Sequence, residues 1–404
     1  MRPRVSLDCT PDTDTAVNME EPAVPDYELP PIDATTADAW PARRQKIIGE
    51  FEDHVYGRVP EFAATHRVIE IESGLALDGT AMRQQWLITV SNDGIDIRIE
   101  VIAYTPATAS APVPAFLVPN FDGNHTIADD PEILDSAGAR RDRGDGTRPR
   151  GSKVRRYPLE TIIERGYGLV TFYAADVDSD RDDGFEHGVQ RMGYADGQTE
   201  PLPDEWGTIG AWAWACSEVL DSLSAPVSTI DPTRVIVGGH SRLGKTALWA
   251  AARDERFAAA FSNDSGCTGA ALSRRAFGEN VAVINALFPH WFCRNYRCYS
   301  NNEASLPVDQ HQLIALIAPR PVHVASATED AWADPLGEFL ATQAASEAWE
   351  AHGIDGIGGD GFPPPGGASI GPVSYHLREG EHDLLAFDWD RYLEFADAQV
   401  RGQP

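Results

Sequence analysis

Lysine is almost absent from this chain of 404 residues. Only three of its 33 basic residues are lysines, namely Lys46, Lys153 and Lys245, and the others are arginines. Acidic residues number 62, so the formal net charge is −29. A charge of this size repels nucleic acids and anionic membranes, so we expect neither as a partner. The same charge suits an acidic surface adapted to high salt, as in halophilic proteins, because dense counterions screen the self-repulsion. An ordinary acidic protein is the alternative interpretation.

Long apolar runs are also missing. No stretch approaches the roughly 18 apolar residues that a membrane helix needs. The N-terminus, Met1–Arg4 followed by several acidic residues, lacks the apolar segment of a secretory signal. We therefore expect a cytoplasmic protein with no membrane-spanning helix.

Metal-binding patterns are a third absence. Neither CxxC nor HExxH occurs, which argues against a structural or catalytic metal, and we expect no cofactor. Five cysteines in so long a chain do not resemble the framework of a small disulfide-rich domain. Cys293 and Cys298 are candidates to pair.

The order of apolar and polar residues predicts an arm followed by one domain. Residues 1–40 are rich in Pro, Asp, Thr and Ala without periodicity, which indicates an extended N-terminal arm, and residues 41–404 are predicted to form a single catalytic domain. Helical spacing over Trp40–Tyr56 is followed by alternating patterns, which indicate an antiparallel start to the sheet. The alternating segments are Arg67–Glu72 and Gln84–Tyr104.

The remainder of the chain predicts an α/β fold. Apolar runs typical of buried parallel strands alternate with segments of helical spacing, which favours a three-layer sandwich with a mostly parallel central sheet and helices on both faces. The predicted strands are Pro114–Val118, Gly168–Phe172, Arg234–Gly238, Ala258–Ser262, Pro321–Ala327 and Ser374–Leu377, and the predicted helices are Gly207–Ser222, Gly244–Ala252, Ala271–Glu279 and Trp389–Ala398. Residues 137–156, 176–203 and 353–367 are predicted to be surface loops. Ligands of such a sheet bind at the carboxyl ends of its strands.

The segment Val235–Lys245 reads as a buried strand that turns tightly through glycine into a helix, with Ser241 at the turn. A nucleophile elbow of the α/β-hydrolase type needs small residues two positions before and after its serine. Gly239 meets the first requirement, but Leu243 occupies the second position and Gly244 follows it. Ser241 is therefore either a nucleophile in an irregular elbow or an ordinary helix-capping serine. In the first case the N–H and guanidinium of Arg242 are placed to stabilise an oxyanion.

A serine nucleophile needs a histidine base and an acid, which follow it in α/β-hydrolases in the order acid, histidine. His376 and His382 lie in the right region, and we favour His382 because it lies in a glycine-containing loop after a strand. Asp264 and Asp330 each follow a core strand, and either could orient the histidine. Glu329 is a weaker candidate for the acid.

Four segments together resemble the glucuronoyl esterases of carbohydrate esterase family fifteen. They are Gly239–Lys245, Asp264–Cys267, Pro289–Phe292 and Gly380–His382, and the resemblance spans roughly Trp40–Asp397. It implies an α/β-hydrolase fold and a serine esterase that hydrolyses esters of glucuronic acid or 4-O-methyl-glucuronic acid. A small or oligosaccharide uronate ester is then the expected partner. An esterase that removes acetyl groups from sugars and a non-catalytic carbohydrate-binding relative are the alternatives.

The resemblance also implies roles for single residues. Ser241 would be the nucleophile, His382 the base, Arg242 part of the oxyanion hole, and Asp264 or Asp330 the acid. Further residues resemble positions that contact the sugar, namely Lys245, which reaches the uronate hydroxyls, with Glu279, His290, Trp291 and Trp332, which line the pocket. Trp332 is alternatively a core or rim aromatic.

Overall fold

The computed structural model describes residues 2–139, 147–224, 229–359 and 361–401. Its centre is one sheet of ten strands. The strands are β1 (Thr65–Ala76), β2 (Ala81–Asn92), β3 (Ile95–Pro106), β4 (Val113–Leu117), β5 (Gly168–Phe172), β6 (Ile230–His240), β7 (Ala259–Asn263), β8 (Val322–Ala327), β9 (Ala368–Ser369) and β10 (Val373–Arg378).

The strands lie in the order β1-β2-β3-β5-β4-β6-β7-β8-β10-β9. β1 to β3 pair antiparallel, and β3 also meets β5 antiparallel. From β5 through β4, β6, β7 and β8 to β10 every pairing is parallel, and the short β9 closes the edge antiparallel. The predicted parallel sheet with an antiparallel start is confirmed.

Helices cover both faces of this sheet. They are α1 (Trp40–His54), α2 (Leu159–Glu164), α3 (Thr208–Ser222), α4 (Arg242–Arg253), α5 (Val281–Leu287), α6 (Gln310–Ala315), α7 (Pro335–Ala345), α8 (Glu347–Glu350) and α9 (Ala386–Gln399). Side chains alternate along each central strand, so that Leu117 packs into one core with α1, α3 and α4, and Phe116 packs into the other with α2 and α9. This is the predicted three-layer α/β-hydrolase sandwich.

The predicted helix Ala271–Glu279 is wrong. The chain there makes only a short 3-10 turn at Ser273–Arg275, and the backbone is left-handed at Ala276 (φ 46°) and Gly278 (φ 64°), which a helix does not allow. The α-helix begins later, at Val281, where the side chain of Asn280 accepts a hydrogen bond from the N–H of Val283 at 2.9 Å.

The segment before α1 contains one short 3-10 turn, Glu21–Ala23, and otherwise runs without helix or strand over residues 2–39. A disulfide between Cys9 and Cys298 ties it to the rest of the chain. The expected pairing of Cys293 with Cys298 is therefore wrong, because Cys293 is a free thiol buried in the main hydrophobic core. Within the described ranges, every helix is too short or too polar to cross a membrane.

Candidate active site

Ser241 lies at the sharp turn between β6 and α4. Its backbone adopts φ 58° and ψ −131°, a sparsely populated conformation for a residue with a side chain, and its N–H donates to the carbonyl of Asn263 at 2.8 Å. Such strain costs about 1–3 kcal/mol and is found mainly at functional sites. The turn has the conformation of a nucleophile elbow.

The displaced glycine of the motif has a steric explanation. A Cβ at Gly239 would lie 2.1 Å from the carbonyl oxygen of Leu243, so the first small residue lets the helix start close to the strand. A Cβ at Gly244 would lie 2.9 Å from Oγ of Ser262 on the neighbouring strand. Leu243 itself points into the core and is fully buried. The crowded position after the serine is therefore Gly244, one residue later than in the usual motif.

His382 follows β10 and is oriented by Asp330, which follows β8. Its Nδ1 lies 2.6 Å from Oδ2 of Asp330, and the ring centroid lies 4.5 Å from that of His240. If Nδ1 carries the proton that the carboxylate accepts, Nε2 has a free lone pair and can act as a base. His376 is not available for this role, because its ring nitrogens pair with Asp388 and His323 in the core.

Asp264 lies beside this pair but makes no hydrogen bond through its side chain to any described residue. One of its carboxylate oxygens, one of Asp330 and a ring nitrogen of His382 all lie within 4.8 Å of one another. Both oxygens of Asp264 are buried without a hydrogen-bond partner among the described residues, and the nearest cation is Arg378 at 3.6 Å. Burial, and then the charges of Glu338 and Asp330, raise the pKa of Asp264 well above its ordinary value, which favours the neutral acid.

The guanidinium of Arg242 is held in place by Asp180, with which it forms a hydrogen-bonded ion pair. The same carboxylate accepts hydrogen bonds from Nε2 of His290 at 3.1 Å and Nε1 of Trp291 at 2.7 Å. Burial alone would raise the pKa of Asp180, but the His290 hydrogen bond, the charge of Arg242 and the Trp291 hydrogen bond together lower it to about 2. Arg242 also lies over the ring of Trp291, 5.1 Å from its centroid.

Arg242 has N–H donors that no described acceptor satisfies. Its Nε is buried and has no hydrogen-bond partner among the described residues. Its backbone N–H lies in the first turn of α4, where a helix has no internal acceptor to offer and where its dipole favours negative charge. The backbone N–H follows Ser241 directly and suits a developing oxyanion.

A cavity of about 310 Å³, the lysine cavity, opens beside Ser241. Nine of the ten predicted site residues line it, namely Ser241, Arg242, Lys245, Asp264, Glu279, Trp291, Asp330, Trp332 and His382. The ammonium group of Lys245 lies 3.5 Å from Oε2 of Glu279 and donates to the carbonyl of Ser265. Trp291 stacks on Phe288 with ring centroids 3.8 Å apart, whereas Trp332 is 43% exposed and lies at the rim.

His290 is the predicted residue that lies outside this cavity. It lines a separate depression with Glu200 and Arg294, and it reaches the site only through its hydrogen bond to Asp180. The weaker acid candidate, Glu329, is exposed and lines neither cavity at Ser241. Asp180 itself was missed, because it is one of many carboxylates in a segment predicted to be a solvated loop, and nothing in its local sequence distinguishes it.

A second cavity of about 280 Å³, the arginine cavity, is also lined by Ser241. It shares Ser241, Arg242 and His382 with the lysine cavity, and its other walls include Phe121, Asp122, Arg148, Lys153 and Arg156. Three of these residues come from the predicted loop 137–156, of which residues 140–146 lie outside the described residues. Nothing in the sequence of this loop assigned it to the site.

The chain is similar to known proteins over almost its whole length. A family model described as fungal glucuronyl esterase matches residues 194–353. Carbohydrate esterase MZ0003, from an unknown prokaryotic organism, is 42% identical over 97% of this chain and 95% of its own length. A solved promiscuous CE15 esterase from a marine bacterial metagenome is 42% identical with a TM-score of 0.86 over 95% of this chain and 99% of its own.

A solved glucuronoyl esterase from Solibacter usitatus is similar as well, with 39% identity and a TM-score of 0.87 over 94% of this chain and 99% of its own. Matches at this identity extend over almost the whole length of both chains. The chain therefore belongs to carbohydrate esterase family 15, the family of the glucuronoyl esterases.

Proposed function

We propose that this chain hydrolyses esters of glucuronic acid or 4-O-methyl-glucuronic acid through a covalent ester on Ser241. Its family makes it a carboxylic ester hydrolase. The observation that carries the residue assignment is the 2.6 Å contact between His382 and Asp330 in the cavity that Ser241 lines, since it supplies a base already oriented beside a strained serine.

The reaction is an acyl transfer in two halves. Oγ of Ser241 attacks the ester carbonyl while Nε2 of His382 takes its proton, and the carboxylate of Asp330 stabilises the imidazolium. The N–H and guanidinium of Arg242 stabilise the oxyanion. The tetrahedral intermediate expels the alcohol, which takes the proton from His382, and a water molecule activated by His382 then hydrolyses the acyl-serine and restores the enzyme.

The lysine cavity suits the sugar acid. Lys245 donates and Glu279 accepts, so the two side chains complement hydroxyl groups, which do both. Trp332 offers an apolar ring face at the rim. With the uronate acyl group in this cavity, the alcohol extends toward the arginine cavity on the other side of Ser241.

A sugar acetyl esterase would use the same catalytic residues with the sugar as leaving group. Its acyl part would be an acetyl group, whose methyl substituent offers no hydroxyl for the pair Lys245 and Glu279. The comparisons do not favour this alternative. A binding protein without activity would not need the strained Ser241 or the oriented His382.

Hydrolysis of benzyl glucuronate by wild type and by Ser241→Ala tests the proposal. We expect a loss of at least about 10³-fold in kcat, because the nucleophile is gone. Ser305→Ala, an exposed serine in neither cavity, is the matched control and should keep full activity. Undiminished hydrolysis by Ser241→Ala would refute the mechanism, and a faster reaction on acetylated xylose than on benzyl glucuronate would favour the acetyl esterase.

A further inference from the structure

The arginine cavity is cationic in a strongly acidic chain. Its lining contains four cationic side chains, Arg148, Lys153, Arg156 and Arg242, against two carboxylates, Asp122 and Asp180. One of the three lysines of the chain is among them, although the net charge of the whole chain is −29. Positive charge is thus concentrated beside Ser241 while the protein as a whole repels anions.

Among the described residues, the ion pairs around the cavity leave part of this positive charge uncompensated. Nζ of Lys153 and Nε of Arg148 share the single carboxylate of Asp122, at 3.4 and 3.8 Å. Both distances are long for a charge-assisted hydrogen bond, which prefers about 2.7–2.9 Å. Asp122 therefore offsets only one of its two cations, and both keep donors for another acceptor.

Arg155 and Arg156 also share a single carboxylate, that of Asp383. Arg156 contacts Oδ1 of Asp383 at 2.6 Å, and Arg155 pairs with the other oxygen of the same carboxylate. Although two guanidinium groups share this carboxylate, only that of Arg156 lines the cavity. By contrast, the pair of Arg242 with Asp180 is balanced. Among the described residues, the excess charge of the cavity therefore comes from Arg148, Lys153 and Arg156, which we call the far wall, and not from the oxyanion site.

The position of this wall identifies which part of a substrate it meets. The two cavities share Ser241, Arg242 and His382, so an ester bond at Ser241 has its acyl part on one side and its alcohol on the other. This step rests on the proposed function, which places the uronate acyl group in the lysine cavity. The carboxyl group of that uronate is esterified and carries no charge, so an anion for the far wall has to belong to the alcohol.

We infer that the arginine cavity is a leaving-group subsite that prefers an alcohol bearing an anionic group, such as a carboxylate or a sulfate. Phe121 and Tyr173 line the same cavity and provide apolar surface for an aromatic ring between the ester bond and the anion. The preferred alcohol is thus an arylalkyl alcohol with a negative charge at its distal end.

Three glucuronate esters of similar size test the inference: 4-carboxybenzyl, 4-(sulfooxy)benzyl, which carries a sulfate, and the neutral 4-carbamoylbenzyl. At low salt, we expect kcat/KM of wild type to be about tenfold higher for an anionic ester than for the neutral one. The first two esters distinguish a carboxylate from a sulfate. In 1 M NaCl, where the Debye length is about 3 Å, the ratio of anionic to neutral kcat/KM should fall to about twofold or less.

Variants that remove either a positive or a negative charge from the cavity make the test more specific. Lys153→Gln should lower this ratio about threefold, Lys153→Arg should keep it, and Asp122→Asn should raise it, because the shared counter-ion is removed. Lys46→Gln is the matched control, since it removes the same charge from an exposed position on α1 and should leave the ratio unchanged.

The outcomes separate the two proposals. A ratio of one or below at low salt, with the neutral ester hydrolysed, overturns the subsite and leaves the proposed function intact. Equal effects of Lys153→Gln and Lys46→Gln would also overturn it, because the preference would then reflect net charge alone. If wild type hydrolyses none of the three esters, the proposed function fails and the subsite fails with it.

Discussion

Replacing Asp330 by asparagine should abolish most of the activity. The amide introduced by Asp330→Asn is neutral, and its NH₂ group can donate to Nδ1 of His382, which would place the proton on Nε2 and leave no base for Ser241. A triad that loses its carboxylate in this way loses about 10⁴-fold in kcat in the best-studied serine hydrolase. With the 2.6 Å contact to His382 we expect a loss of about 10³ to 10⁴, equivalent to about 4–5.5 kcal/mol of transition-state stabilisation.

Asp264→Asn should behave in the opposite way. Burial and the neighbouring acids raise the pKa of Asp264 well above its ordinary value, which favours the neutral carboxyl, and the amide is nearly isosteric with it. We expect kcat to change by less than about threefold, since a neutral group is exchanged for another beside His382.

The stability of the Asp264→Asn variant should also depend on pH. A carboxyl whose pKa is higher in the folded than in the unfolded state keeps its proton in the fold over the range between the two values. The unfolding free energy of the wild type therefore falls as the pH rises through that range. The amide of the variant does not titrate, so the variant should gain stability relative to the wild type above the ordinary pKa of an aspartate, and the difference should be absent in more acidic solution.

The measurements are kcat for benzyl glucuronate between pH 5 and 9 and urea unfolding at several pH values. Asp330→Glu is a useful companion variant, since it restores the charge with a longer reach and should recover part of the loss. The assignment of the acid is refuted if Asp264→Asn loses as much activity as Asp330→Asn. Substantial activity in both single variants with none in the double variant would show that either carboxyl can serve.

Three further changes test other parts of the structure. Gly244→Ala places a Cβ 2.9 Å from an atom of β7, so we expect an overpacking cost of about 1–3 kcal/mol in urea unfolding and a loss of activity through the displaced Ser241. Asp180→Asn frees the guanidinium of Arg242 and should lower kcat about 10- to 100-fold with little change in KM, with partial recovery in Asp180→Glu. Cys9→Ser opens the disulfide that spans 289 residues and should lower the unfolding free energy by about 2–4 kcal/mol, and a reductant should destabilise only the wild type.

The central strands could be predicted because a strand that is buried on both faces consists almost entirely of apolar residues. Strand β5 has the predicted bounds Gly168–Phe172, since a strand covered by helices on both sides reads as one apolar run. The segment 271–279 gave a false helical signal. A side chain at position 278 would place its Cβ 2.5 Å from the carbonyl oxygen of Trp332, so the left-handed turn there needs glycine, and the residue that imposes this is distant in the sequence.

The disulfide was beyond prediction for a similar reason. Cys9 and Cys298 are 289 residues apart, and only the path of the N-terminal segment over the domain brings them together. Cys293, five residues from Cys298, is directed into the core instead. Disulfides persist mainly in oxidising compartments, and the cytoplasmic location expected from the N-terminus stays a prediction.

The identity of the acid shows most clearly where sequence reasoning ends. Asp264 and Asp330 both follow strands of the sheet, and their local sequences favour neither. Glu338 on α7 distinguishes them: its carboxylate accepts the N–H groups of Ser265 and Gly266, both at 2.9 Å, and so holds the turn that carries Asp264. That contact places a second acid next to Asp264. The carboxylate oxygens of Asp264 have no hydrogen-bond donor among the described residues. Asp330, in contrast, contacts the imidazole of His382. Glu338, more than seventy residues from Asp264 in the chain, therefore distinguishes two carboxyls whose local sequences are equivalent. Its negative charge helps to raise the pKa of Asp264, so Glu338→Gln should bring that pKa closer to its ordinary value.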